Sequence, residues 1–469
     1  MHLHIVGICG TFMGGVAQLA TAAGHRVTGC DAAVYPPMSD LLRSAGIVVI
    51  EGYGAEQMDL KPDLYVVGNV VVRGNPLFEA VLASGARFTS GPAWVRDELL
   101  RDRHVVAIAG THGKTTTTSM VAWILERAGL DPGFLIGGVP VDFGASARLG
   151  KGGGHFVIEA DEYDSALFDK RSKFVHYFPR TLVLNNLEFD HADIFADLAA
   201  IETQFHHLMR CVPRDARTIV NGRDEALARV LARGTWCEIE RFDDDTDWHW
   251  RAMPGAGEDF EVWRGAQQLG TLSLGLPGDH NRSNAVAAIA AAAHAGVAPQ
   301  SALAALAGFA GVRRRMETRG SVRGITVIDD FAHHPTAIAT TVAGLRRRIG
   351  ANRILALLDP RSNTMRMGVM QQQLAPSLRD ADAVFCYGPR SGAQALRWDP
   401  RAAMAALGER LQVFESIDEL AGAVAAQARS GDFVLAMSNG SFGGVHEKLL
   451  LALRAHGGAT ANPAPGGGA

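Results

Sequence analysis

One short stretch carries residue types that could bind the phosphates of a nucleotide. The segment VVAIAGTHGKTTTTSMVAWIL, residues 105–125, has the pattern of a buried strand, a glycine-containing turn and the start of a helix. In such a turn backbone N–H groups and a lysine cradle the phosphates, while a following hydroxyl holds Mg²⁺. The predicted ATP contacts here are Gly110, Thr111, His112, Gly113, Lys114, Thr115 and Thr116.

This loop departs from the common G-x-x-x-x-G-K-[ST] pattern. Ile108 stands where that pattern has its first glycine, and the glycine has moved to Gly110. We therefore predict a shortened phosphate-binding loop with ATP as the cofactor. In the alternative interpretation, Lys114 is a solvated lysine at the start of a helix that follows an ordinary turn. The order of strand, glycines, Lys-Thr and long apolar-periodic helix favours the phosphate-binding loop.

Two further predicted strands end in residues that suit a metal-bound triphosphate. The segment HFVIEADEYD contains Glu159, Asp161, Glu162 and Asp164, and TLVLNNLEFDH contains Asn185, Asn186, Glu188, Asp190 and His191. Parallel strands bring their carboxyl ends to one edge of a sheet, so we expect these groups near the phosphate loop. Glu159 and His191 are the first candidates for Mg²⁺ ligands. Without that loop, the acidic cluster would be equally consistent with a solvated helix start.

Polar residues at a later helix start could contact the nucleotide base. In GDHNRSNA, the residues His280, Asn281 and Asn284 precede an alanine-rich run. Their side chains can hydrogen-bond a base edge while the alanines pack inward. Alone, this pattern would indicate only a polar helix start.

Charged residues at the start of the last third of the chain could act on a phosphoryl group. The run Arg313, Arg314 and Arg315 contains side chains that can stabilise its negative charge, although an isolated run of this kind is typical of a solvated face. In DDFAHHP, Asp330 and His333 are expected to face a neighbouring site. A metal site made by His333 and His334 is disfavoured, since adjacent side chains point apart and no third ligand is suitably spaced.

Strands alternating with helices predict the parallel sheets that would position these residues. We predict an α/β protein of three domains over residues 1–98, 104–312 and 313–456, with RDELLRDR as a polar linker between the first two. Residues 457–469, rich in Gly, Ala and Pro, are predicted to be a disordered tail. A length of 469 residues is compatible with about three domains of ordinary size.

Composition narrows the function classes. A hydrophobic fraction of 47%, a charged fraction of 20% and a net charge of −4 describe an ordinary globular protein without a basic surface for nucleic acid. We expect small-molecule substrates. The N-terminus lacks the pattern of a signal peptide, and no apolar run is long enough to span a bilayer, so we predict a cytoplasmic protein without membrane insertion. The five scattered cysteines indicate neither disulfides nor a zinc site.

The N-terminal βαβ opening offers a second anion site. Asp31 ends its second strand, where an NAD-binding protein has its ribose-binding acid. However, Cys9 and Phe12 occupy the second and third glycine positions of G-x-G-x-x-G, which disfavours an NAD-dependent oxidoreductase. Another diphosphate can still bind at the helix N-terminus.

The ordered set AGTHGKTTT, EADEYD, NNLEFDH, GDHNRSNA, RRRMET and DDFAHHP resembles the Mur ligase family over nearly the whole chain. The family consists of ATP-dependent amide-forming enzymes of peptidoglycan assembly. The resemblance implies an N-terminal Rossmann-like domain for a UDP-sugar, a central P-loop ATPase domain with a mainly parallel sheet, and a C-terminal Rossmann-like domain for the amino acid or peptide. It also implies that ATP phosphorylates a substrate carboxylate, and that an amine attacks the acyl phosphate.

The family pattern implies roles for the matched residues. Thr115 and Glu159 would bind one Mg²⁺ and His191 another, while Arg315 and Asp330 would contact the nucleotide. The adenine contacts would be His280, Asn281 and Asn284. The expected catalytic residues are Lys114, Glu159, His191 and Arg315. The expected UDP-sugar contacts are Gly7, Gly10, Thr11, Gly14 and Asp31.

Other features imply a branch of the family. Several members carry a carbamoylated lysine in the central domain, but here no lysine occurs between Lys173 and Lys448, so none is expected. The branch that adds L-alanine to UDP-N-acetylmuramate similarly lacks it. Within that branch, GICGTFMGG, DAAVYPPMS, DPRSNTMRMG and MSNGSFGGVHEKLL resemble members that attach the recovered tripeptide L-Ala-γ-D-Glu-meso-diaminopimelate during cell-wall recycling. An L-alanine-adding ligase is the alternative.

A tripeptide brings extra carboxylates that must be bound. DPRSNTMRMG follows the predicted strand RILALL, and its arginine offers a bidentate fork at the carboxyl edge of the third domain. The predicted peptide contacts are Arg361, Ser362, Asn363, Thr364, Ser438 and Asn439. Alternatively, the Asp-Pro-Arg sequence forms only a tight turn. A P-loop switch or transport ATPase, a different class, would predict a complete phosphate loop and is disfavoured.

Overall fold

The computed structural model describes residues 1–34, 38–253, 258–392 and 394–458. The chain divides into two compact units. Unit 1 comprises Met1–Phe189, Asp197–Gly275 and Asn281–Val312, and unit 2 comprises Asp190–Ala196, Leu276–His280 and the described part of Arg313–Ala469. The predicted disordered tail lies outside the described residues from position 459 onward, while 457 and 458 close the last helix.

Unit 1 begins with a five-stranded parallel sheet. Its strands are β1 (His2–Val6), β2 (Arg26–Asp31), β3 (Val48–Glu51), β4 (Leu64–Val67) and β5 (Phe88–Ser90), in the order β3-β2-β1-β4-β5. The helices are α1 (Thr11–Ala22), α2 (Met38–Ser44), α3 (Pro76–Ser84) and α4 (Gly91–Val95). A 3-10 helix covers Ala55–Leu60. Because β1 lies at the centre, the turn after it emerges in the middle of the carboxyl edge, where ligands bind in such sheets.

The segment after this sheet differs from its prediction as a polar linker. Arg96–Leu100 forms a π-helical turn that continues α4. Leu99 and Leu100 are buried, whereas the side chains of Arg96 and Asp97 are 41% and 43% exposed. The prediction as a linker was based on the charged residues of this segment and did not account for the burial of its two leucines in unit 1.

A ten-stranded sheet forms the larger part of unit 1. Its strands are β6 (His104–Ala109), β7 (Gly133–Leu135), β8 (Ala147–Arg148), β9 (His155–Glu159), β12 (Thr181–Leu184), β13 (Arg217–Asn221), β14 (Glu238–Phe242), β15 (Trp248–Ala252), β16 (Phe260–Arg264) and β17 (Gln267–Leu272). The order is β17-β16-β15-β14-β13-β12-β6-β9-β7-β8, and β14-β13-β12-β6-β9-β7 are parallel. A separate antiparallel hairpin joins β10 (Asp164–Ala166) to β11 (Asp169–Ser172).

Helices flank this sheet. They are α5 (Lys114–Arg127), α6 (Leu198–Met209), α7 (Glu225–Ala232), α8 (Asp279–His294) and α9 (Pro299–Leu306), with a 3-10 helix at Lys173–His176. The alanine-rich run of α8 is buried, as predicted. The antiparallel extension β15 to β17 was not predicted from the sequence.

Unit 2 contains a six-stranded sheet. Its strands are β18 (Glu317–Val322), β19 (Ile325–Asp330), β20 (Ile354–Leu358), β21 (Ala383–Tyr387), β22 (Leu411–Phe414) and β23 (Phe433–Met437), in the order β18-β19-β23-β20-β21-β22. Apart from the antiparallel β18, the strands are parallel. The helices are α10 (Pro335–Ile349), α11 (Asn363–Met367), α12 (Gln371–Ser377), α13 (Pro400–Ala403), α14 (Ile417–Gln427) and α15 (Val445–Gly458), with 3-10 helices at Ala405–Arg410 and Phe442–Gly444.

The predicted fold class, α/β with mainly parallel sheets, is confirmed. Within the described ranges, we find no helix whose length and hydropathy would let it cross a membrane.

Candidate active site

The phosphate loop of unit 1 connects β6 to α5. Gly110 has φ 136° and Gly113 has φ 80°, which L-residues with side chains rarely adopt. A Cβ on Gly113 would also lie 2.5 Å from Oδ1 of Asn284. Both conformation and space therefore require glycine at this position, and Lys114 follows as the first residue of α5.

Two asparagines after β12 hold the backbone of this loop. The side-chain oxygen of Asn186 accepts a hydrogen bond from the His112 N–H at 2.7 Å, and its backbone oxygen accepts one from the Thr111 N–H at 3.1 Å. The amide of Asn185 donates to Thr117 Oγ1 at 3.1 Å. These contacts shape a loop whose glycines and helix N-terminus suit an anion.

Lys114 is a buried cation in an acidic cluster. Its Nζ lies 2.9 Å from Glu162 and 3.7 Å from Asp161. Burial opposes the charged form, but the carboxylates of Glu162, Asp161 and Glu159 raise the pKa of Lys114 above its usual value. The lysine is therefore charged at neutral pH.

Glu159, at the end of β9, contacts the start of α5. The Thr115 hydroxyl donates to its two carboxylate oxygens at 3.0 and 3.1 Å, and the Gly137 N–H donates to Oε2 at 2.7 Å. The structure therefore brings together Thr115 and Glu159, both predicted from the sequence as metal ligands. A hydroxyl and a carboxylate at this distance are hard oxygen donors of the kind that Mg²⁺ prefers.

Lys173 was missed as a site residue in the sequence. Its Nζ lies 3.1 Å from Asp161, and its side chain is 10% exposed. The β10–β11 hairpin separates the two residues in the chain and returns Lys173 to the acidic cluster. A lone lysine after a polar stretch gives no sequence signal of such a contact.

The N-terminal turn, residues 7–10, leads from β1 into α1. Asp31 at the end of β2 accepts hydrogen bonds from the N–H groups of Cys9 and Ala32, each at 2.8 Å, and from the Tyr53 hydroxyl at 3.3 Å. Gly7 has φ 84°. Asp31 thus fixes the turn.

The other predicted UDP-sugar residues occupy the start of α1. Gly10 precedes the helix and Thr11 is its exposed first residue. Gly14 is buried, where a Cβ would lie 2.5 Å from Sδ of Met38. Gly14 therefore has a packing role, and Gly10 and Thr11 are the residues placed at the helix N-terminus.

The predicted adenine residues have different surroundings. Asn281 and Asn284 are buried in α8, and the amide of Asn284 donates to Oδ1 of Asn281 at 3.4 Å. Asn284 lies against the phosphate loop through Gly113. His280 is exposed and belongs to unit 2. Thr116, predicted to contact ATP, is buried inside α5.

His191 belongs to the short segment Asp190–Ala196 of unit 2. It has a strained φ of 55°, and its N–H donates to Oδ1 of Asp190 at 2.7 Å. Asp190 also lies 4.0 Å from Nε2 of His333. Burial opposes the Asp190 carboxylate, but the neighbouring histidines 191, 333 and 334 lower its pKa to about 2.

The arginine run in unit 2 divides into different roles. Arg314 lies 3.3 Å from Asp329 and donates to the backbone oxygens of Ser438 and Gly440 at 2.8 and 2.6 Å. It therefore anchors the loop after β23. The Arg315 guanidinium lies over the Phe331 ring, 5.0 Å from its centroid.

Asp330, predicted to contact the nucleotide, is buried at the end of β19. It accepts hydrogen bonds from the N–H groups of Met316 and Ala332 at 2.8 and 2.9 Å. Burial raises the pKa of Asp330, while Arg315 opposes that shift. Its contacts fix the turn that carries Arg315.

The predicted peptide residues lie at the carboxyl ends of the neighbouring strands β20 and β23. The Ser438 hydroxyl donates to Asp359 at 2.9 Å, which ties the two strand ends together. The Arg361 side chain packs so closely on Gly440 that a Cβ there would lie 2.5 Å from Cδ of the arginine. The side-chain oxygen of Asn439 is buried without a hydrogen-bond partner among the described residues.

Three other members of that predicted set hold backbone segments of unit 2. Ser362 caps α11 by accepting a hydrogen bond from Met365 N–H at 3.3 Å. Asn363 donates to Asp193 at 2.8 Å, and the Thr364 hydroxyl accepts from Ala192 N–H at 3.1 Å. Asn363 and Thr364 thus hold the segment that carries His191.

Family models match all three parts of the chain. Residues 2–103 match the Mur ligase family, catalytic domain; residues 108–292 match the Mur ligase middle domain; and residues 314–440 match the Mur ligase, glutamate ligase domain. The chain belongs to the Mur ligase family. It therefore has the three-domain α/β fold of these ligases.

Curated Mur ligases separate into two levels of similarity to this chain. The UDP-N-acetylmuramate–L-alanyl-γ-D-glutamyl-meso-2,6-diaminoheptandioate ligase of Escherichia coli (strain K12) is 52% identical, over 96% of this chain and 98% of the relative. The UDP-N-acetylmuramate–L-alanine ligase of Roseiflexus sp. (strain RS-1) is 34% identical, over 97% and 99%. A crystal structure of a murein peptide ligase from Psychrobacter arcticus 273-4 is similar with a TM-score of 0.75 and 46% identity, covering 97% of this chain and 98% of that one.

Proposed function

We propose that this Mur ligase joins the tripeptide L-Ala-γ-D-Glu-meso-diaminopimelate to UDP-N-acetylmuramate in peptidoglycan recycling. The lactyl carboxylate attacks the γ-phosphorus of ATP to give an acyl phosphate and ADP. The α-amine of the tripeptide then attacks the acyl carbon, and collapse of the tetrahedral intermediate releases phosphate and leaves an amide. Adenosine triphosphate supplies the free energy for a bond that does not form by simple condensation at neutral pH.

The observation that carries this proposal is the difference between the two groups of relatives. The tripeptide ligase of Escherichia coli is 52% identical to this chain, against 34% for the L-alanine ligase of Roseiflexus, at nearly equal coverage. An L-alanine-adding ligase is therefore the second candidate. Both would use the same phosphate loop and differ in the amine substrate.

Lys114 is proposed to bind the phosphates of ATP. In the structure its charge is balanced by Glu162 and Asp161. A triphosphate at the loop would offer the ammonium stronger anionic partners, in a site where few waters screen the charge. The same ammonium would stabilise the charge of the transferring phosphoryl group.

The donor set beside the loop fits Mg²⁺. Thr115 and Glu159 present a hydroxyl and a carboxylate within hydrogen-bond distance of each other, and His191 stays a proposed ligand of a second Mg²⁺. When bound, Mg²⁺ would offset the negative charge of the β and γ phosphates. Glu159 is held for this role by the N–H of Gly137. The nucleotide contacts of Arg315, Asp330, His280, Asn281 and Asn284 also stay predictions.

We place the peptide at the carboxyl ends of β20 and β23. The guanidinium of Arg361 can bind a carboxylate with two parallel hydrogen bonds, and the tripeptide carries several carboxylates. The buried oxygen of Asn439 needs a donor, which a peptide N–H or ammonium supplies. Ser438 is fixed by Asp359 and positions this loop.

The turn after β1 is the proposed UDP-sugar site. Asp31 holds the turn through the Cys9 N–H, and the N-terminus of α1 then offers N–H groups to the diphosphate. We also propose three domains, with the bounds 1–98, 104–312 and 313–456. The proposed location is the cytoplasm, where ATP and UDP-sugars are available.

A competition experiment tests the amine specificity. The protein is incubated with ATP, Mg²⁺, UDP-N-acetylmuramate and equal concentrations of tripeptide and L-alanine, and the products are identified by mass spectrometry. We expect the UDP-N-acetylmuramoyl tripeptide to predominate. A product containing L-alanine alone would establish the second candidate instead.

A further inference from the structure

The β10–β11 hairpin connects the acidic cluster to the N-terminal sheet within unit 1. At its tip, the Phe168 ring stacks on Phe78 with centroids 5.8 Å apart, and it meets the Phe88 ring edge-on at 4.8 Å. Leu167 packs against the core of the N-terminal sheet. The hairpin therefore has one end on the proposed UDP-sugar domain and the other beside the phosphate loop.

Lys173 follows directly after this hairpin. Its N–H donates to the backbone oxygen of Tyr163 at 2.8 Å, which closes the base of the hairpin. Its ammonium lies 5.3 Å from the ring centroid of Phe12 and 5.8 Å from that of Tyr163. Phe12 belongs to the first turn of α1. The charge of Lys173 thus lies beside the helix proposed to bind the UDP-sugar.

The same ammonium touches the ATP side of the site. Asp161 lies 3.1 Å from Nζ of Lys173 and 3.7 Å from Nζ of Lys114. Lys114 has Glu162 as a second, closer partner at 2.9 Å. Among the described residues, the Lys173 ammonium also lies near the faces of the Phe12 and Tyr163 rings, which attract a cation but do not accept its N–H groups as a carboxylate would.

An unsatisfied hydroxyl gives independent evidence of a missing polar group. Tyr177 is 1% exposed, and its hydroxyl has no hydrogen-bond partner among the described residues. Burial, with Asp161 and Glu159 nearby, raises the pKa of Tyr177 well above its usual value, so the phenol retains its proton. Buried hydroxyls without partners are rare in proteins, and this one can donate to a ligand.

We infer that Lys173 is a positioning residue that binds the lactyl carboxylate of UDP-N-acetylmuramate. The inference rests on the proposed function and adds to it the residue that selects a nucleotide sugar with a carboxylate. An ammonium between Phe12 and Asp161 partly neutralises that carboxylate before it approaches the triphosphate. No bond to the Lys173 ammonium forms or breaks.

Isothermal titration calorimetry of Lys173→Met tests this inference. Methionine keeps the apolar stem under the aromatic rings and removes the charge. We expect the affinity for UDP-N-acetylmuramate to fall about ten- to hundredfold, as for a lost hydrogen bond between charged groups. The affinity for UDP-N-acetylglucosamine, which has the same diphosphate but no lactyl group, should change by less than about twofold. Lys173→Arg should keep most of the preference.

Two other results would overturn the inference. Equal affinities of wild type and Lys173→Met for UDP-N-acetylmuramate would show that the ammonium binds no substrate carboxylate. An equal loss for both nucleotide sugars would assign Lys173 to the diphosphate or to the fold. Thermal unfolding and ATP binding check the fold of each variant, and Lys173→Gln replaces Lys173→Met if the latter does not fold. If the wild type makes no tripeptide product, the proposed function fails; if it does, these results judge Lys173 alone.

Discussion

The turns after β1 and after β6 have similar backbones and different chemistry. Each leads from a central parallel strand through glycines of positive φ, Gly7 in one and Gly110 in the other, into a long helix. The first helical residue is Thr11 in α1 and Lys114 in α5. Both turns lead to a helix N-terminus that suits an anion, and we propose that the side chain at the helix start decides whether phosphate is bound or transferred.

The neighbouring strands sharpen this contrast. Asp31 ends the strand next to β1 and accepts hydrogen bonds from the turn itself. Glu159 ends a strand next to β6, but it contacts the Thr115 hydroxyl and the Gly137 N–H. Acids at equivalent sheet edges therefore fix the turn itself in one sheet and hold the Thr115 hydroxyl, a proposed metal ligand, in the other.

Substitution of the first residue of α5 has the largest expected effect on ligase activity. Lys114→Met should lower kcat/KM for tripeptide ligation about a thousandfold, because the transferring phosphoryl group loses a buried cation. Binding of UDP-N-acetylmuramate, measured by calorimetry, should be unchanged. Thr11→Val, at the matching position of α1, should raise the KM for UDP-N-acetylmuramate less than about tenfold. More than a tenth of wild-type activity in Lys114→Met would remove the distinction between the turns.

The carboxyl ends of β20 and β23 form a third sheet edge, where we propose that the peptide binds. Arg361→Ala should raise the KM for the tripeptide about thirtyfold and leave that for ATP unchanged, because a charged hydrogen bond to a carboxylate is lost. Steady-state kinetics with each substrate varied in turn measures this. Arg379→Ala removes an arginine that is 80% exposed in its side chain and should change neither value. An unchanged tripeptide KM in Arg361→Ala would contradict the proposed peptide site.

The acid at the N-terminal turn should have a smaller effect. Asp31→Asn weakens the hydrogen bonds from Cys9 and Ala32 and should raise the KM for UDP-N-acetylmuramate about tenfold. The KM for ATP should stay constant, since Asp31 contacts the other turn. Asp40→Asn, at an exposed acid paired with Arg43, provides the control. A defect in ATP binding, with normal binding of the nucleotide sugar, would refute the assignment of the two turns.

Both sheets also contain a histidine that is neutral in the folded state, and this gives the smallest expected effect. Burial lowers the pKa of His4 and of His104 to about 4, and each contacts a threonine hydroxyl at 2.8 Å. The unfolded chain binds a proton with a pKa of about 6.5, so folded stability is lost as pH falls from about 6.5 toward 4.

Urea unfolding measures this loss of stability. Between pH 6.5 and 5, each histidine should lower the free energy of unfolding by about 1–2 kcal/mol. His104→Gln should reduce the pH dependence, and the His4→Gln variant tests whether the N-terminal sheet responds in the same way. An identical pH dependence in wild type and both variants would show that other groups control acid unfolding.

The alternation of strands and helices was sufficient to predict three α/β domains. It did not predict that β15, β16 and β17 extend the sheet as antiparallel neighbours. The residue pattern of a short strand does not show the direction in which the strand pairs. The burial of Leu99 and Leu100 was not predicted, because charged residues precede and follow them in the sequence. Local pattern therefore predicted the sheets and missed the elements that depend on tertiary packing.

The site divides in the same way. The positions of Lys114 and Thr115 at a strand-to-helix turn and of Glu159 at a strand end were predictable from residue order, while their binding roles stay predictions. The contact of Lys173 with Asp161 depends on a hairpin, and those of Asn363 and Thr364 with the Asp190–Ala196 segment join distant parts of the chain. Such contacts form only when the chain folds and are not visible in the order of residues. The role of His191 stays a prediction.

Coupled phosphate release measures the amine specificity and the link between ATP cleavage and amide formation in one experiment. The protein is supplied with ATP, Mg²⁺ and UDP-N-acetylmuramate, with no amine, with L-alanine or with the tripeptide, and phosphate and product are counted together. We expect the tripeptide to give the highest kcat/KM, with one phosphate released for each UDP-N-acetylmuramoyl tripeptide formed. A preference for L-alanine, or phosphate release that does not depend on the amine, would contradict the proposed function.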